Sequence, residues 1–153
     1  MNEDAKKFSI IDFVKKYNST TSEQIKKTML NNISKEQSTY VPYQQKIEAA
    51  INIIEEANYV NNGKNKKFFF NSPVQYLNYV KTLLALYTNF QLNDSFYEEY
   101  DILNQYDLLK VIIQRMPVDK VEFDIVFNMV RDDAERNEYS SLLIYERSTN
   151  GDT

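Results

Sequence analysis

Residues 61–87 read "NNGKNKKFFFNSPVQYLNYVKTLLALY". Two kinds of structure meet in this stretch. Asn62-Gly63 suits a turn whose backbone needs φ > 0. Its flanks, Tyr59, Val60 and Phe68 to Phe70, favour extended chain. Together they predict a short β-hairpin near residues 59–70. Strand alternation sends Phe68 and Phe70 to one face and Phe69 to the other. The second half of the stretch is helical. Ser72 offers a cap and Pro73 a first-turn proline. Leu77, Val80, Leu84 and Tyr87 recur along one face, with Tyr76, Tyr79, Leu83 and Leu86 along the next. An apolar arc this wide predicts a helix central to the core.

The same helical period extends in both directions. Ser9 with Asp12 makes a capping-box arrangement ahead of Ile10, Phe13, Val14 and Tyr17. Thr20 with Glu23 does the same for a second helix carrying Ile25, Met29 and Ile33. Pro42 forces Tyr40 and Val41 into extended chain. Tyr43–Asn58 is the third helix, with Ile47, Ala50, Ile51 and Ile54 inward and Gln44, Lys46, Glu48, Glu55 and Glu56 toward water. Beyond the central helix, Phe96, Tyr100 and Leu103 mark a fifth helix. Asp107 is placed to cap a sixth, which Pro117 stops. Asp119 and Glu122 form another capping-box pair before a last helix. That helix is apolar from Val121 to Val130 and polar from Arg131. The reading is a mainly α, single-domain bundle of six or seven helices with one short hairpin, over residues 1–147. Subregions 8–71 and 72–140 are conceivable within it, and residues 148–153 read as a flexible tail.

Composition agrees and also excludes chemistry. The 153 residues include two Gly and three Pro, too few for an all-β fold rich in tight turns. There is no Cys and no His, which removes disulfides, thiolate zinc sites and His-based nucleophile pairs. The two glycines lie too far apart for any phosphate-cradling glycine loop. No apolar run has the length of a membrane span, and the opening "MNEDAKKFSII" lacks the order of a signal peptide. Carboxylates gather in "NDSFYEEYD" and "RDDAERNE". Asp94 with Glu98, or Glu98 with Asp101, can share a helical face and reach a divalent ion. Acids near a helix N-terminus that face water explain the first cluster as well. Arg131 with Glu135, and Asp132 with Arg136, have the spacing of helical ion pairs. No catalytic, metal or cofactor residue is assigned, and the chain reads as non-enzymatic.

Charge and aromatics point to contacts with macromolecules. Residues 1–70 hold eleven Lys and eight acids, whereas residues 71–153 hold seven cations and fourteen acids. Eleven of the twenty-one aromatics fall between Phe68 and Tyr106. Tyrosine carries a large flat body with a polar tip, a combination enriched at protein interfaces. Phe69, Tyr97, Arg131, Asp132, Asp133, Glu135 and Arg136 are the candidate protein contacts. The order of three helices and a hairpin resembles a winged-helix domain, with Lys64, Lys66 and Lys67 as phosphate contacts. Its third helix offers only Lys46 against Glu48, Glu55 and Glu56. No arginine precedes Arg115, so the usual specific base reader is missing from that half.

Three longer segments carry a second resemblance: "STYVPYQQKIEAAINII" (38–54), "NSPVQYLNYVKTLLALYTN" (71–89) and "YDILNQYDLLKVIIQRMPVDKVEFDIVFNMVRDD" (100–133). They are similar to uncharacterised small proteins of phages and prophages of low-GC bacteria, over roughly two thirds of the chain. That likeness implies a virion structural or assembly component, in the virion or the host cytoplasm, whose partners are other phage subunits. It also admits an early accessory protein that inhibits a host protein. Nucleic acid is the lesser partner, and no membrane partner is expected.

Overall fold

The computed structural model describes residues 7–62, 65–69 and 71–149, with the side chains of 59–68 and 138–149 left aside. Among the described residues the protein is mainly helical, with seven helices. In chain order these are β1 (Phe8–Ser9), α1 (Ile10–Ser19), α2 (Glu23–Ile33), α3 (Tyr43–Asn58), β2 (Tyr59–Asn62), β3 (Asn65–Phe68), α4 (Ser72–Tyr87), β4 (Phe90–Gln91), α5 (Tyr97–Gln105), α6 (Leu108–Gln114) and α7 (Lys120–Thr149). The helical bundle with one hairpin is therefore as the periodicity predicts. The chain groups into two compact units, each discontinuous in sequence: Met1–Val41 with Tyr76–Val121, and Pro42–Gln75 with Glu122–Thr153.

In the first unit α1 packs on α5, and α5 on α6. Its core includes Ile10, Val14, Ile33, Val80, Leu84, Tyr87, Leu103 and Ile112, all nearly inaccessible. A two-stranded parallel pair of β1 and β4 sets Phe8 beside Phe90. Strands of two residues leave no periodicity to read, so the sequence did not announce them. The pair brings Phe90 against Phe13, ring centroids 5.4 Å apart and nearly perpendicular. Alongside it, Asn89 N–H donates to the Ile33 carbonyl and Lys35 N–H to the Tyr87 carbonyl. The C-terminal ends of α2 and α4 are stitched together in this way, and their last carbonyls gain partners.

The capping expectations divide. Ser9 caps α1 by accepting from Asp12 N–H, as read. For α2 the cap is Ser22, which accepts from Ile25 N–H, and Thr20 instead ends α1. Thr20 Oγ1 is spent on the Lys16 carbonyl at 2.7 Å. For α4 the cap is Asn71, accepting from Val74 N–H, so Ser72 and Pro73 lie one position further in than read. Asp107 sits at φ 56°, ψ 28° with no side-chain cap bond, a left-handed residue turning the chain between α5 and α6. Aspartate tolerates that region better than most residues.

Asp119 makes long-range contacts that its capping-box spacing does not announce. Its Oδ2 accepts from Val41 N–H at 2.9 Å and from the Tyr87 hydroxyl at 2.8 Å. In the first turn of α7, Lys120 and Val121 N–H donate to the carbonyls of Pro117 and Val118. Asp119 thus clasps the extended segment ahead of Pro42 to the end of α4. Tyr87, wholly buried, needs such an acceptor for its hydroxyl.

In the second unit α3 turns inward Ala50, Ile53, Ile54 and Ala57, while Ile51 is 40% exposed. The face is rotated from the expected one because it includes Lys46, whose side chain is fully buried. Lys46 Nζ lies 2.7 Å from Glu122 Oε1, an ion pair at the start of the second-unit part of α7. Lysine was read as a water-facing residue because burial of an ammonium needs a carboxylate partner, which here lies 76 positions away. From α7, Phe123, Val126 and Phe127 complete the core. The hairpin is antiparallel, with Tyr59 opposite Phe68 and Asn62 opposite Asn65. α7 runs on to Thr149, so residues 148–149, expected in a loose tail, are helical. The rest of that expected tail lies outside the described residues. No helix among the described residues is long and apolar enough to cross a membrane.

Candidate protein-binding surfaces

The outward face of α7 within the second unit is built by helical spacing alone. Phe123, Val126 and Phe127 take the inner face, which leaves Ile125 and Met129 outward, 55% and 47% exposed. One turn and two turns further, Asp132 and Arg136 continue the same stripe and are exposed. Asp133 and Glu135 flank it, also in water. Arg131 is set apart from this face: its guanidinium lies over the Phe127 ring, 5.7 Å from the centroid, and its Nε is 3.9 Å from Asp132. The expected pairs Arg131–Glu135 and Asp132–Arg136 do not form among the described residues. The Phe127 ring competes for Arg131, since a helical side chain leans back over the preceding turn. Among the described residues Asp133, Glu135 and Arg136 form no ion pair.

At the hairpin base, Asn58 is 2% exposed and fully used. Its Nδ2 donates to the Ile54 carbonyl, and its Oδ1 accepts from Asn71 N–H at 2.9 Å. Its own carbonyl accepts from Phe69 N–H at 2.6 Å. The backbone of Phe69 is therefore held, while its side chain is 49% exposed. Lys66 and Lys67 pair through β3 with Asn61 and Val60. Lys64 and Phe70 lie outside the described residues. The sequence pattern gives the Asn58 and Asn71 side chains no such role at the hairpin base.

In the first unit, Tyr97 opens α5 and is 60% exposed. Behind it Tyr100 packs edge-on to Tyr76 at 6.0 Å and to Phe96 at 6.2 Å. The Tyr100 hydroxyl donates to that of Tyr76 at 3.4 Å. This hydrogen bond, then burial and the neighbouring Tyr100 charge, hold the Tyr76 hydroxyl above its usual pKa. Tyr76 itself is 51% exposed, outside the core where the apolar arc of α4 placed it. The acid cluster beside Tyr97 is also divided. Asp94, Glu98 and Asp101 are exposed, but Glu99 is 3% exposed and accepts from Asn93 Nδ2. Its Oε2 has no partner among the described residues. No cluster of three or more His, Cys, Asp or Glu able to hold a metal ion occurs among those residues.

Three shallow hollows adjoin one another in the first unit. One, of ≈ 290 Å³, is lined by Lys7, Asp12, Lys16 and Asn32 over Phe13 and Ile33. The next, of ≈ 350 Å³, shares Lys7 and adds Lys35 and Asn89 over Ala85, Phe90 and Leu92. The third, of ≈ 330 Å³, shares Lys35 and adds Asn31, Glu36, Gln37 and Arg115. Lys7 and Lys35 are thus common walls of a basic groove beside the β1–β4 pair. Lys7 precedes β1 and Lys35 follows α2; the β1–β4 pair and the bond from Lys35 N–H to the Tyr87 carbonyl set both beside Asn89 and Phe90. Comparison with known proteins found no matching family model, no similar curated protein and no similar solved structure.

Proposed function

We propose that this chain is a non-enzymatic protein that works by binding other protein subunits, as a virion structural or assembly component of a phage. The observation that carries the binding part is the outward stripe of α7 in the second unit. Ile125 and Met129 leave apolar side chains in water on a helix whose other face is fully used by its own core. Charged Asp132 and Arg136 extend that stripe. An apolar centre with a charged rim is the anatomy of a protein contact. The phage assignment rests on the resemblance of residues 38–54, 71–89 and 100–133.

The winged-helix reading loses support on three counts. Lys46, the one cation of its recognition helix, is buried against Glu122. What α3 turns to water includes Glu48, Glu55 and Glu56, which repel phosphate. Its supposed partner helices α1 and α2 also belong to the other compact unit.

The test is fractionation of particles from the strain that encodes the chain. Co-purification with particles, lost on Ile125→Asp with Met129→Asp in a variant of unchanged stability, supports the proposal. Recovery only from the unassembled lysate sinks the virion role. Incorporation that survives both substitutions moves the contact away from α7.

A further inference from the structure

We infer that the basic groove of the first unit is the docking site for the acidic α5 segment of a second copy of this chain, giving a dimer. This deepens the protein-contact reading above and rests on it. Three observations carry it.

The first is charge. Between Lys7 and Lys35 the chain carries six lysines against Asp12 and Glu23. Between Gln91 and Asp107 it carries five acids and no cation. Both stretches belong to the same compact unit.

The second is that these charges are left unanswered among the described residues. Among the described residues, Lys7, Lys16 and Lys35 form no ion pair, and neither do Asp94, Glu98 and Asp101. Lys81, which reaches the segment, bonds the Asp94 backbone carbonyl rather than its carboxylate.

The third is shape and chemistry. The groove has cationic and amide walls over an apolar floor of Ala85, Phe90 and Leu92. The α5 segment presents Asp94, Glu98 and Asp101 to water, with the exposed Tyr97 ring among them. A tyrosine over the floor with carboxylates at the lysine rim satisfies both.

The groove ends at Leu92, two residues before Asp94. Groove and segment therefore lie side by side on one unit. Side-by-side complementary patches suit a two-fold contact, in which each copy gives its acids to the other's lysines. A long polyanion suits the groove less well. It must also pass the adjoining acidic segment, and the whole chain carries a net charge of −4.

Sedimentation velocity of the full chain tests this. At about 20 mM salt the wild type sediments as a dimer, and at about 0.5 M, where exposed charges are screened, as a monomer. Lys7→Glu with Lys35→Glu, and separately Asp94→Lys with Glu98→Lys, are each monomeric at low salt. An equimolar mixture of the two variants forms a dimer again. Lys7→Glu with Lys35→Glu mixed with a control bearing Glu55→Lys and Glu56→Lys does not, which separates docking from attraction by net charge. A wild type that stays monomeric at low salt overturns the inference, as does a dimer indifferent to salt or to both reversals. If a labelled oligothymidine binds the wild type and the groove reversal abolishes that binding, while no dimer forms, the groove belongs to nucleic acid instead. A monomer that still enters particles refutes the dimer and leaves the protein-contact reading standing.

Discussion

Asp119 offers the sharpest test of how this fold is held. Two interpretations of the residue make opposite predictions. As a helix cap, it would be replaceable by serine, which caps about as well as aspartate. As a clasp, it must reach Val41 N–H at 2.9 Å and the Tyr87 hydroxyl at 2.8 Å. The serine hydroxyl lies one bond nearer the backbone than Oδ2, so it cannot reach both donors. Hydrogen bonds to a charged acceptor contribute roughly 1.5–3 kcal/mol each. Asp119 is half-buried, and part of its hydration is retained in the fold, which reduces that figure. The two bonds also share one oxygen and will not add fully. Asp119→Ser and Asp119→Ala should therefore each cost about 2–4 kcal/mol. Tyr87→Phe, which removes one donor and leaves the Val41 bond, should cost about 1 kcal/mol. Urea unfolding followed by circular dichroism measures all three, with an unchanged slope confirming that stability alone has moved. The double variant Tyr87→Phe with Asp119→Ala should lose less than the sum of the two single losses. A loss under about 0.5 kcal/mol for Asp119→Ser, with a larger one for Asp119→Ala, would restore the capping interpretation and refute the clasp.

Three further outcomes follow from the same geometry. Glu122→Gln removes the Glu122 carboxylate from the buried Lys46 ammonium and should cost about 1–3 kcal/mol, discounted because Glu122 is itself half in water. Adding Lys46→Met should recover most of that loss in the same urea assay, and a further loss would show the pair to be net stabilising. Phe69→Ala should cost under about 1 kcal/mol, since the ring is half exposed, whereas a loss of about 3 kcal/mol or more would make it core. The raised pKa of Tyr76 means that the folded chain holds this proton longer than the unfolded chain. Its contribution to stability is complete below the ordinary value of 10.0 and is lost as pH rises through the folded value. Tyr100→Phe should bring the tyrosinate absorbance of Tyr76 in at lower pH, and an unchanged titration would show that the Tyr100 hydroxyl does not set it.

What could be read from the sequence was whatever depends on near neighbours. Helix existence came from apolar spacing over three or four turns, and α3 appears with the boundaries read, Tyr43–Asn58. The hairpin followed from Asn-Gly between β-prone flanks, with strands Tyr59–Asn62 and Asn65–Phe68. Errors in capping were shifts among adjacent polar residues, since Thr20 and Ser22, or Asn71 and Ser72, are chemically able to do the same task. Lys46, Asp119 and Tyr76 have partners that spacing along one helix does not reveal. Lys46 pairs across 76 positions and Asp119 bonds across 78. A lysine in a helical pattern looks like a surface residue until its carboxylate is found. An aspartate three residues before a glutamate has the spacing of a cap, and nothing in that spacing points to Val41.

The candidate surfaces divide on the same principle. Ile125 and Met129 lay within an apolar run, and only the packing of Phe123, Val126 and Phe127 shows which side of that run is left in water. Arg131 and Asp132 were visible as charges, but the pull of the Phe127 ring on Arg131 required coordinates. The basic groove is the extreme case. Its two walls, Lys7 and Lys35, are ordinary lysines in sequence, and they meet because Phe8 pairs with Phe90 through strands of two residues. A contact that short leaves no pattern in the sequence, yet it helps to set the position of this concave surface. The docking proposal therefore depends on β1–β4. Phe8→Pro should show this, because it removes the N–H that donates to the Asn89 carbonyl at 2.9 Å. If the groove needs that strand pair, salt-sensitive dimerisation should weaken along with stability. If dimerisation keeps its wild-type salt dependence once Phe8 can no longer pair, the lysines act as a diffuse basic face, and the groove has no part in recognition.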